Sequence, residues 1–569
     1  MPKKSNKTSL PWLISKTKRY LPGVFLLSLI NAISSLSFIW LALLSETLIN
    51  AAAEIMQAPP SPNFADCLRL PQIYIPALQV IGVIVLQVVL NIVSSNVRVR
   101  ISGKIEMRLR KRVFSSLLKK EYEQFHRYHS GEIVNRLTGD IAHVVNGFTG
   151  LIPSAVSMLT KLLGGLIVLT RISPYFTAII LGLGGVVVLG SRFYGARLKK
   201  LHKKCQETDG KTRSFMQESL GNLLSIKAFS NQEYVEQRLM EHQRNNYRMR
   251  IKRNTISNIG NTAIYLVLTA AYYLALVWGV ICLIAGTLSF GTLTALLQIF
   301  EQLKAPMRNA SSLLPQYYAM LASAERLEEL ELLDEEEAAL SADEQARLLN
   351  GFSFLCLDRI SFAYEDDLPV LEEISFRLQR GEIVSLVGES GIGKSTLMKL
   401  LLSILKPLSG ELYVQSGEER FPLTASTRPL FSYVPQGNTV LAGTLRENVA
   451  FFRENVSDER IWQALQHACL EEFISTLPDG LDTLLGEHGF DISEGQAQRI
   501  AIARALLNDA PVLLLDECTS ALDLDTEKRL LDNIKHMTGK TVLMISHRNT
   551  TVQSADRILR IHDRHLTES

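Results

Sequence analysis

Two different periodicities divide the chain. Up to about Pro315 the pattern is long apolar runs separated by basic stretches, and from about Phe352 onward short apolar strands alternate with amphipathic helices. A membrane helix needs about 20 mostly apolar residues. Six segments meet this: Tyr20–Leu44, Tyr74–Val93, Phe148–Thr170, Tyr175–Gly195, Ile259–Ala285 and Gly291–Pro315. The last is the least apolar, with Gln298, Glu301, Gln302 and Lys304 inside it. In the second half, Phe354–Tyr364, Val370–Leu378 and Ile383–Val387 read as strands, and so do Val512–Leu515, Thr541–Ile545 and Arg557–Ile561 between helical segments. That alternation predicts a parallel α/β core with an antiparallel addition. The expected division is a leading segment over 1–19, an all-α six-helix membrane domain over 20–325, an acidic linker over 326–350 and an α/β domain over 351–569.

Charge gives the helical half an orientation. The stretches 51–72 and 171–174 each hold a single basic residue, Arg69 and Arg171, and 286–290 holds none. The region from Arg98 to Arg136 carries Lys104, Arg108, Arg110, Lys111, Arg112, Lys119 and Lys120, and that from Arg192 to Arg253 is also basic. Basic loops stay on the cytoplasmic side, so both of these and both termini are expected there. Helix-like patterning continues through Gly103–Leu118 and Thr212–Leu224. The membrane helices therefore run on into long cytoplasmic hairpins. The apolar run after Tyr20 is longer than the core of a signal peptide and reads as a first membrane helix that is retained.

Composition adds little. Charged residues are 21% and apolar residues 47% of 569, and the formal net charge of +3 points to no particular partner. The six cysteines form no C-x-x-C pair and read as scattered small apolar residues rather than a metal or redox site.

The chemistry lies in the second half. Gly388-Glu389-Ser390-Gly391-Ile392-Gly393-Lys394-Ser395 fits G-x-x-x-x-G-K-[ST] between a strand and a helix opening at Ser395 and continuing through Thr396. In that context the backbone N–H groups cradle phosphates, Lys394 neutralises the β- and γ-phosphates, and the Ser395 hydroxyl is placed for Mg2+. Four apolar residues, Val512 to Leu515, then deliver Asp516 and Glu517 at a strand's C-terminal end, where open α/β sheets bind ligands. Asp516 suits the Mg2+ shell and Glu517 suits a general base acting on water.

Between these motifs lies Asp491-Ile492-Ser493-Glu494-Gly495-Gln496, opening a helix through Leu507. This stretch resembles the signature of ABC transporters. Ser520-Ala521-Leu522-Asp523 resembles their D-loop, His547 the switch histidine, Gln436 in Tyr433-Val-Pro-Gln436 the Q-loop, and Tyr364 the aromatic that stacks on adenine. In the helical half, Ser130–Asp140 resembles the first intracellular coupling region of the exporter branch, and Glu218–Phe229 the segment after the second. The resemblance implies the type IV exporter fold, ATP and Mg2+ as ligands, and two ATPs sandwiched between two copies of the chain. Ser493 and Gly495 would then complete the phosphate site of the partner chain. Gln436 would sense the γ-phosphate and Mg2+, and His547 would hold the γ-phosphate and the attacking water. Some positions depart from the family's usual pattern: Glu494 for glycine, Ile492 for leucine and Cys518 for alanine. Ile392 also replaces a small polar residue.

Lys161, Glu301 and Gln298 are polar positions inside predicted spans and are candidates for the cargo path. Such groups contact a polar or anionic cargo, line a water-filled cavity, or pair with one another. The expected activity is ATP-driven export of a lipid, lipid-linked, peptide or hydrophobic substrate by a homodimer, as a multi-pass protein of a bacterial-type inner membrane. Alternatives are half of a heterodimer, an importer, or an ATP-gated channel on the same fold. Membrane lipid is an expected partner and nucleic acid is not; six spans argue against a soluble ATPase acting on nucleic acid.

Overall fold

The computed structural model describes residues 10–57, 70–126, 128, 130–337, 339–364, 368–437, 439–451, 453–486, 492–537, 539–548 and 552–568. Residues 1–9 of the leading segment, Cys67, Arg69 and Asp491 lie outside them. The chain forms two compact units. One comprises 1–116 with 130–332, and the other 117–129 with 333–569.

The first unit is helical. A short helix α1 (Leu10–Thr17) is followed by α2 (Leu21–Gln57) and α3 (Pro71–Leu117). The chain then enters the second unit for α4 (Tyr122–His126) and returns as α5 (Ser130–Asn135) with a π-helical turn over Arg136–Asp140. The remaining helices are α6 (Ile141–Ile172), α7 (Pro174–Gly221), α8 (Leu223–Ala228), α9 (Gln232–Ile284) and α10 (Phe290–Glu331). The six long ones, α2, α3, α6, α7, α9 and α10, contain the six predicted spans except for their end residues Tyr20 and Ala285, and each extends well beyond its span at one end or both. Among the described residues, those with α2, α3, α6 and α9 are long and apolar enough to cross a membrane. In α3 only 6% of the most apolar window is buried, as expected of a surface solvated by acyl chains. Helix starts are set by local chemistry: Ser173 caps α7 ahead of Pro174, and the Ser289 hydroxyl accepts from the Thr292 N–H at 3.1 Å to cap α10.

Close helix approach depends on glycine. A Cβ on Gly279 would sit 2.3 Å from Leu293 Cδ1, and one on Gly291 2.4 Å from the Glu46 carbonyl oxygen. Small residues at such crossings let backbones meet where no hydrophobic gradient drives them together. At the other end of the unit α10 is tied by charge. Asp140 accepts from Arg326 Nε at 2.8 Å and from Ser323 Oγ at 2.9 Å. Arg136 donates to the Arg326 carbonyl, to Glu329 at 2.9 Å and to Glu132 at 2.7 Å. The stretch Ser130–Asp140, expected to be a coupling region, thus forms α5 and a braced π-turn within the helical unit. It is the preceding residues, 117–129, that group with the α/β unit.

That second unit holds the six-stranded sheet β12-β11-β3-β10-β9-β6, built from β3 (Ile383–Gly388), β6 (Phe431–Val434), β9 (Val512–Asp516), β10 (Thr541–Ile545), β11 (Arg557–His562) and β12 (His565–Glu568). All neighbours are parallel except β11 with β12. β9 and β10 are buried along their whole length, which explains their uninterrupted apolar runs. Leu513 and Leu515 pack on one core with α16 (Glu494–Leu507); Val512 and Leu514 face another, with α12 (Lys394–Leu401). That second core is shared with the antiparallel sheet β2-β1-β4-β5, comprising β1 (Phe352–Ala363), β2 (Pro369–Gln379), β4 (Ser409–Ser416) and β5 (Glu419–Pro422). In the stretch 326–350, expected to be a linker, the described residues include the end of α10 and a further short helix. Arg428 pairs with both Glu336 oxygens at 2.7 Å, and Ser341 and Glu344 form a capping box on α11 (Ala342–Asn350). The segment between α3 and α5 joins this unit through Glu121 to Lys406 and through Gln124 Nε2 to Asp334 at 2.6 Å.

Candidate functional site

The phosphate loop follows β3 and precedes α12, so the helix N-terminus and the loop amides face the same side. Gly391 and Gly393 have φ of +82° and +111°, in the left-handed region that side chains disfavour. Ile392 packs against the sheet core, which explains an apolar residue at a loop position. Glu389 and Ser390 are exposed. Lys394 is buried, and its Nζ donates to the Gly388 and Glu389 carbonyls at 2.9 and 2.8 Å. Burial pulls its pKa down against the opposing pull of Glu517 and Asp516.

Ser395 Oγ donates to Asp516 Oδ1 at 3.2 Å, and Tyr433 OH donates to Asp516 Oδ2 at 3.3 Å. Burial raises the Asp516 carboxyl above its ordinary range despite both hydrogen bonds. Glu517 has φ +51°, held by its N–H to the Ile545 carbonyl at 3.1 Å. A non-glycine residue in this region is strained, and such strain gathers at functional positions. Its carboxylate meets Gln436 Nε2 at 2.8 Å and His547 Nε2 at 3.3 Å. Five of the predicted residues are therefore linked in two adjoining groups, Ser395 with Asp516 and both Gln436 and His547 on Glu517, while Lys394 is held by the loop's own carbonyls. Tyr364 lies at the end of β1, more than half exposed, with its OH 3.2 Å from Thr396 Oγ1 and its ring edge-on to Phe362. An exposed ring there has a face free for a base.

Among the described residues no group of three or more His, Cys, Asp or Glu could hold a metal alone. The donors present are one hydroxyl, one carboxylate and the Gln436 amide oxygen, whose nitrogen is already committed to Glu517. Such a sparse set fits Mg2+, which takes few protein ligands beside substrate phosphates and water.

The signature residues form a second group. Ser493 caps α16, with Gln496 completing the capping box. Glu494 is exposed in the first turn, where its charge suits the helix dipole, and Ile492 packs on the core. A Cβ on Gly495 would stand 2.8 Å from the Ala521 carbonyl oxygen. Asp523 caps α17 (Leu524–Lys535), and the Thr526 N–H holds its carboxyl below the usual range. Among the described residues, no hydrogen bond or ion pair joins Ser493, Gly495, Gln496 or Asp523 to the phosphate loop. Cys518 is fully buried, and burial pushes its thiol up to about 12, so it is an inert packing residue.

Three functional neighbours escaped the sequence reading. Tyr433 was visible only as part of a motif; its contact with Asp516 depends on β6 lying beside β9. Gln498 holds the D-loop through Ser520 Oγ at 3.1 Å and the Ala521 N–H at 3.2 Å. Arg548 donates to the Leu522 and Ser520 carbonyls at 2.7 and 2.8 Å and to buried Glu527 at 3.0 Å.

In the helical unit Glu301 is paired, to Lys304 at 2.5 Å, and Lys304 Nζ lies 4.4 Å from the Tyr272 ring centre. Lys161 is half-buried on α6, its Nζ 4.9 Å from the Phe38 ring centre. Among the described residues it has no carboxylate partner. Gln298 is half-buried on α10.

A strand–loop–helix phosphate site with a strained acid at the next strand's end, in a chain that also carries long lipid-facing helices, defines a membrane-integral P-loop ATPase. Residues 21–307 match the family described as ABC transporter transmembrane region, and residues 371–520 match the family described as ABC transporter. The ATP-dependent lipid A-core flippases of Escherichia coli (strain K12) and Shigella boydii serotype 4 (strain Sb227) are each 30% identical over 498 residues, spanning 86% of this chain and 84% of theirs. The chain belongs to the ABC transporter family, as an exporter-type half-transporter with an ATP-hydrolysing domain. A bacterial Atm1-family ABC exporter with ATP bound is similar in fold, with a TM-score of 0.80 and 23% identity, covering 97% of this chain and 95% of that one.

Proposed function

We propose that two copies of this chain form a homodimeric exporter that uses ATP hydrolysis to move an amphiphile with a polar or anionic headgroup out of a bacterial-type inner membrane, with both termini cytoplasmic. The observation that carries the dimer is the division of the site. Within one chain Ser395 is linked to Asp516, and Gln436 and His547 to Glu517, beside the loop that holds Lys394, while Ser493, Gly495, Gln496 and Asp523 stand apart with their helix N-terminus unused. In the dimer one chain's signature turn closes over the other's phosphate loop. Lys394 releases its two carbonyls and turns to phosphate. Glu517 polarises the attacking water, His547 holds it against the γ-phosphate, and Gln436 reports the state of the site. Mg2+ would bind through Ser395, Asp516 and Gln436 and neutralise phosphate charge. The relatives' name, lipid A-core flippase, supports a lipid-linked cargo, and Lys161, with Gln298 and the Glu301–Lys304 pair, supplies polar contacts along its path.

Two crippled chains test the dimer. Lys394→Ala loses the phosphate loop and Gly495→Asp the signature. Each is expected to be inactive alone in lipid nanodiscs. Mixed dimers regain ATPase activity because one site is then intact on both sides. A particle of one chain's mass, or a mixture as inactive as its parents, would refute the arrangement.

Lys161→Met tests the cargo. A lone charge in a membrane interior is costly and is kept for a ligand or pathway. Basal ATPase is expected to stay within about twofold, while the concentration of phosphorylated amphiphile giving half-maximal stimulation rises about tenfold, a loss of ~1.4 kcal/mol. Unchanged stimulation would remove Lys161 from the path.

A further inference from the structure

A basic cleft lies in the helical unit away from the residues assigned to cargo. Its volume is about 190 Å3, and it is lined by Lys16, Lys18, Arg19, Arg108 and Arg112 together with Tyr20. It forms where α1 and the 3-10 turn Lys18–Tyr20 fold back against α3.

The cleft is anchored by one carboxylate. Glu331, at the end of α10, accepts from Trp12 Nε1 at 3.1 Å, Lys16 Nζ at 2.5 Å and Arg112 Nε at 3.2 Å. Trp12 and Leu13 are buried in the core below, with Ile105 and Leu109. This fixes α1 in place and accounts for two of the five cations. Lys18, Arg19 and Arg108 are exposed, and among the described residues none has a carboxylate partner. One acid against five bases leaves a concentrated positive field, which in a folded unit costs self-repulsion unless an anion relieves it.

The neighbours of the cleft say which anion. Ile14 is 47% exposed on α1, and Leu21 and Phe25 are 41% and 71% exposed at the start of α2. Ile101 meets Gly23, so Arg108 lies two helical turns beyond the point where α2 and α3 meet. Apolar side chains for acyl groups thus adjoin cations for a headgroup, with Tyr20 at the boundary where amphipathic rings settle. Basic pockets at the cytoplasmic end of membrane helices suit phosphate headgroups, and guanidinium groups pair with phosphate oxygens in two-pronged fashion.

We propose that this cleft binds the phosphodiester headgroup of an anionic lipid from the cytoplasmic leaflet, at a site separate from the cargo path. The lipid staples α1 to α3 and so fastens the chain's entry into the membrane to the long hairpin formed with α6. The proposal rests on the cytoplasmic orientation given above, but not on the cargo or the dimer.

Native mass spectrometry of the full chain released from nanodiscs of phosphatidylcholine with phosphatidylglycerol tests it. Wild type is expected to retain one phosphatidylglycerol per chain in preference to phosphatidylcholine. The triple variant Lys18→Gln, Arg19→Gln, Arg108→Gln loses that retention about tenfold, since each surface cation contributes several-fold to anionic lipid binding. A variant that keeps the charges, Lys18→Arg with Arg19→Lys and Arg108→Lys, retains the lipid. So does a control removing three exposed cations elsewhere, Arg244→Gln with Arg248→Gln and Lys252→Gln. Equal loss in that control, or undiminished retention in the cleft variant, overturns the site. Displacement of the lipid by millimolar inorganic phosphate assigns the cleft to a soluble anion and overturns the lipid. ATPase activity and particle mass, measured on the same samples, report separately on the function proposed above.

Discussion

Replacing Glu517 with glutamine is expected to lower ATP turnover by about 10²–10⁴-fold, the usual contribution of a positioned general base, and to leave ATP binding within about threefold. Binding and chemistry separate because different atoms serve them. Nucleotide is held by the loop amides, Lys394 and the Ser395–Asp516 pair, none of which hydrogen-bonds the Glu517 side chain. The chemistry depends on a carboxylate whose backbone is fixed at φ +51° and whose two oxygens meet Gln436 and His547. Glutamine matches its shape, and its amide oxygen still accepts from Gln436 Nε2. What it loses is the basic lone pair and the charge that orients His547. The second loss predicts a signature in a companion variant. His547→Ala should cost much less in the Glu517→Gln background than in wild type, because residues that act on one water are not additive. Turnover in nanodiscs and binding of a fluorescent ATP analogue measure the two halves. A variant that still turns over within threefold of wild type would exclude Glu517 as the base, and additive losses would show that His547 acts independently of it.

The parts of this molecule that were legible in the sequence are those whose physics is local. The phosphate loop is a spacing of glycines and a lysine; β9 is an unbroken apolar run ending in two acids; the long helices are stretches of apolar residues broken by basic loops. What could not be read depends on which distant residues meet. Tyr433 reaches Asp516 only because β6 and β9 are neighbours, and Arg548 braces the D-loop from 26 residues away in sequence. The α1 helix is eight residues long and ends at basic ones, too short to declare itself by periodicity. It is held by Trp12 and Lys16 on Glu331, more than 300 residues later. Glu301 is a cargo-path candidate in the sequence, where pairing is only one of the open readings; the structure pairs it with Lys304, three positions away. The departures within the nucleotide motifs each find an ordinary place: Glu494 in solvent, Ile492 and Ile392 in cores, Cys518 buried.

The second large effect is expected far from the nucleotide. Arg326→Met should destabilise the helical unit by about 2–4 kcal/mol, while Asp140→Asn costs about 1 kcal/mol, although both remove the same ion pair. The asymmetry follows from burial. The Asp140 side chain is 4% exposed and that of Arg326 is 46% exposed. Without Arg326 the carboxylate keeps the Ser323 hydroxyl but stays inside without its cation, and an uncompensated buried charge is the costly outcome. Without Asp140 the guanidinium swings into water, where its charge is solvated. Nearby Arg136 does not substitute, because it is engaged by Glu132, Glu329 and the Arg326 carbonyl. The double variant Arg326→Met with Asp140→Asn should therefore be more stable than Arg326→Met alone. Thermal unfolding in nanodiscs, followed by tryptophan fluorescence, orders the three. Equal losses for the two single variants, or a double variant as unstable as their sum, would mean that the pair is not a buried charge and its counter-ion. The predicted order also bears on transmission of force. The pair fastens the π-turn Arg136–Asp140 to the end of α10, and the residues just before α5 group with the ATPase unit. A chain loosened at Asp140 but still holding nucleotide should hydrolyse ATP with weaker stimulation by cargo, since the π-turn is then no longer fastened to α10.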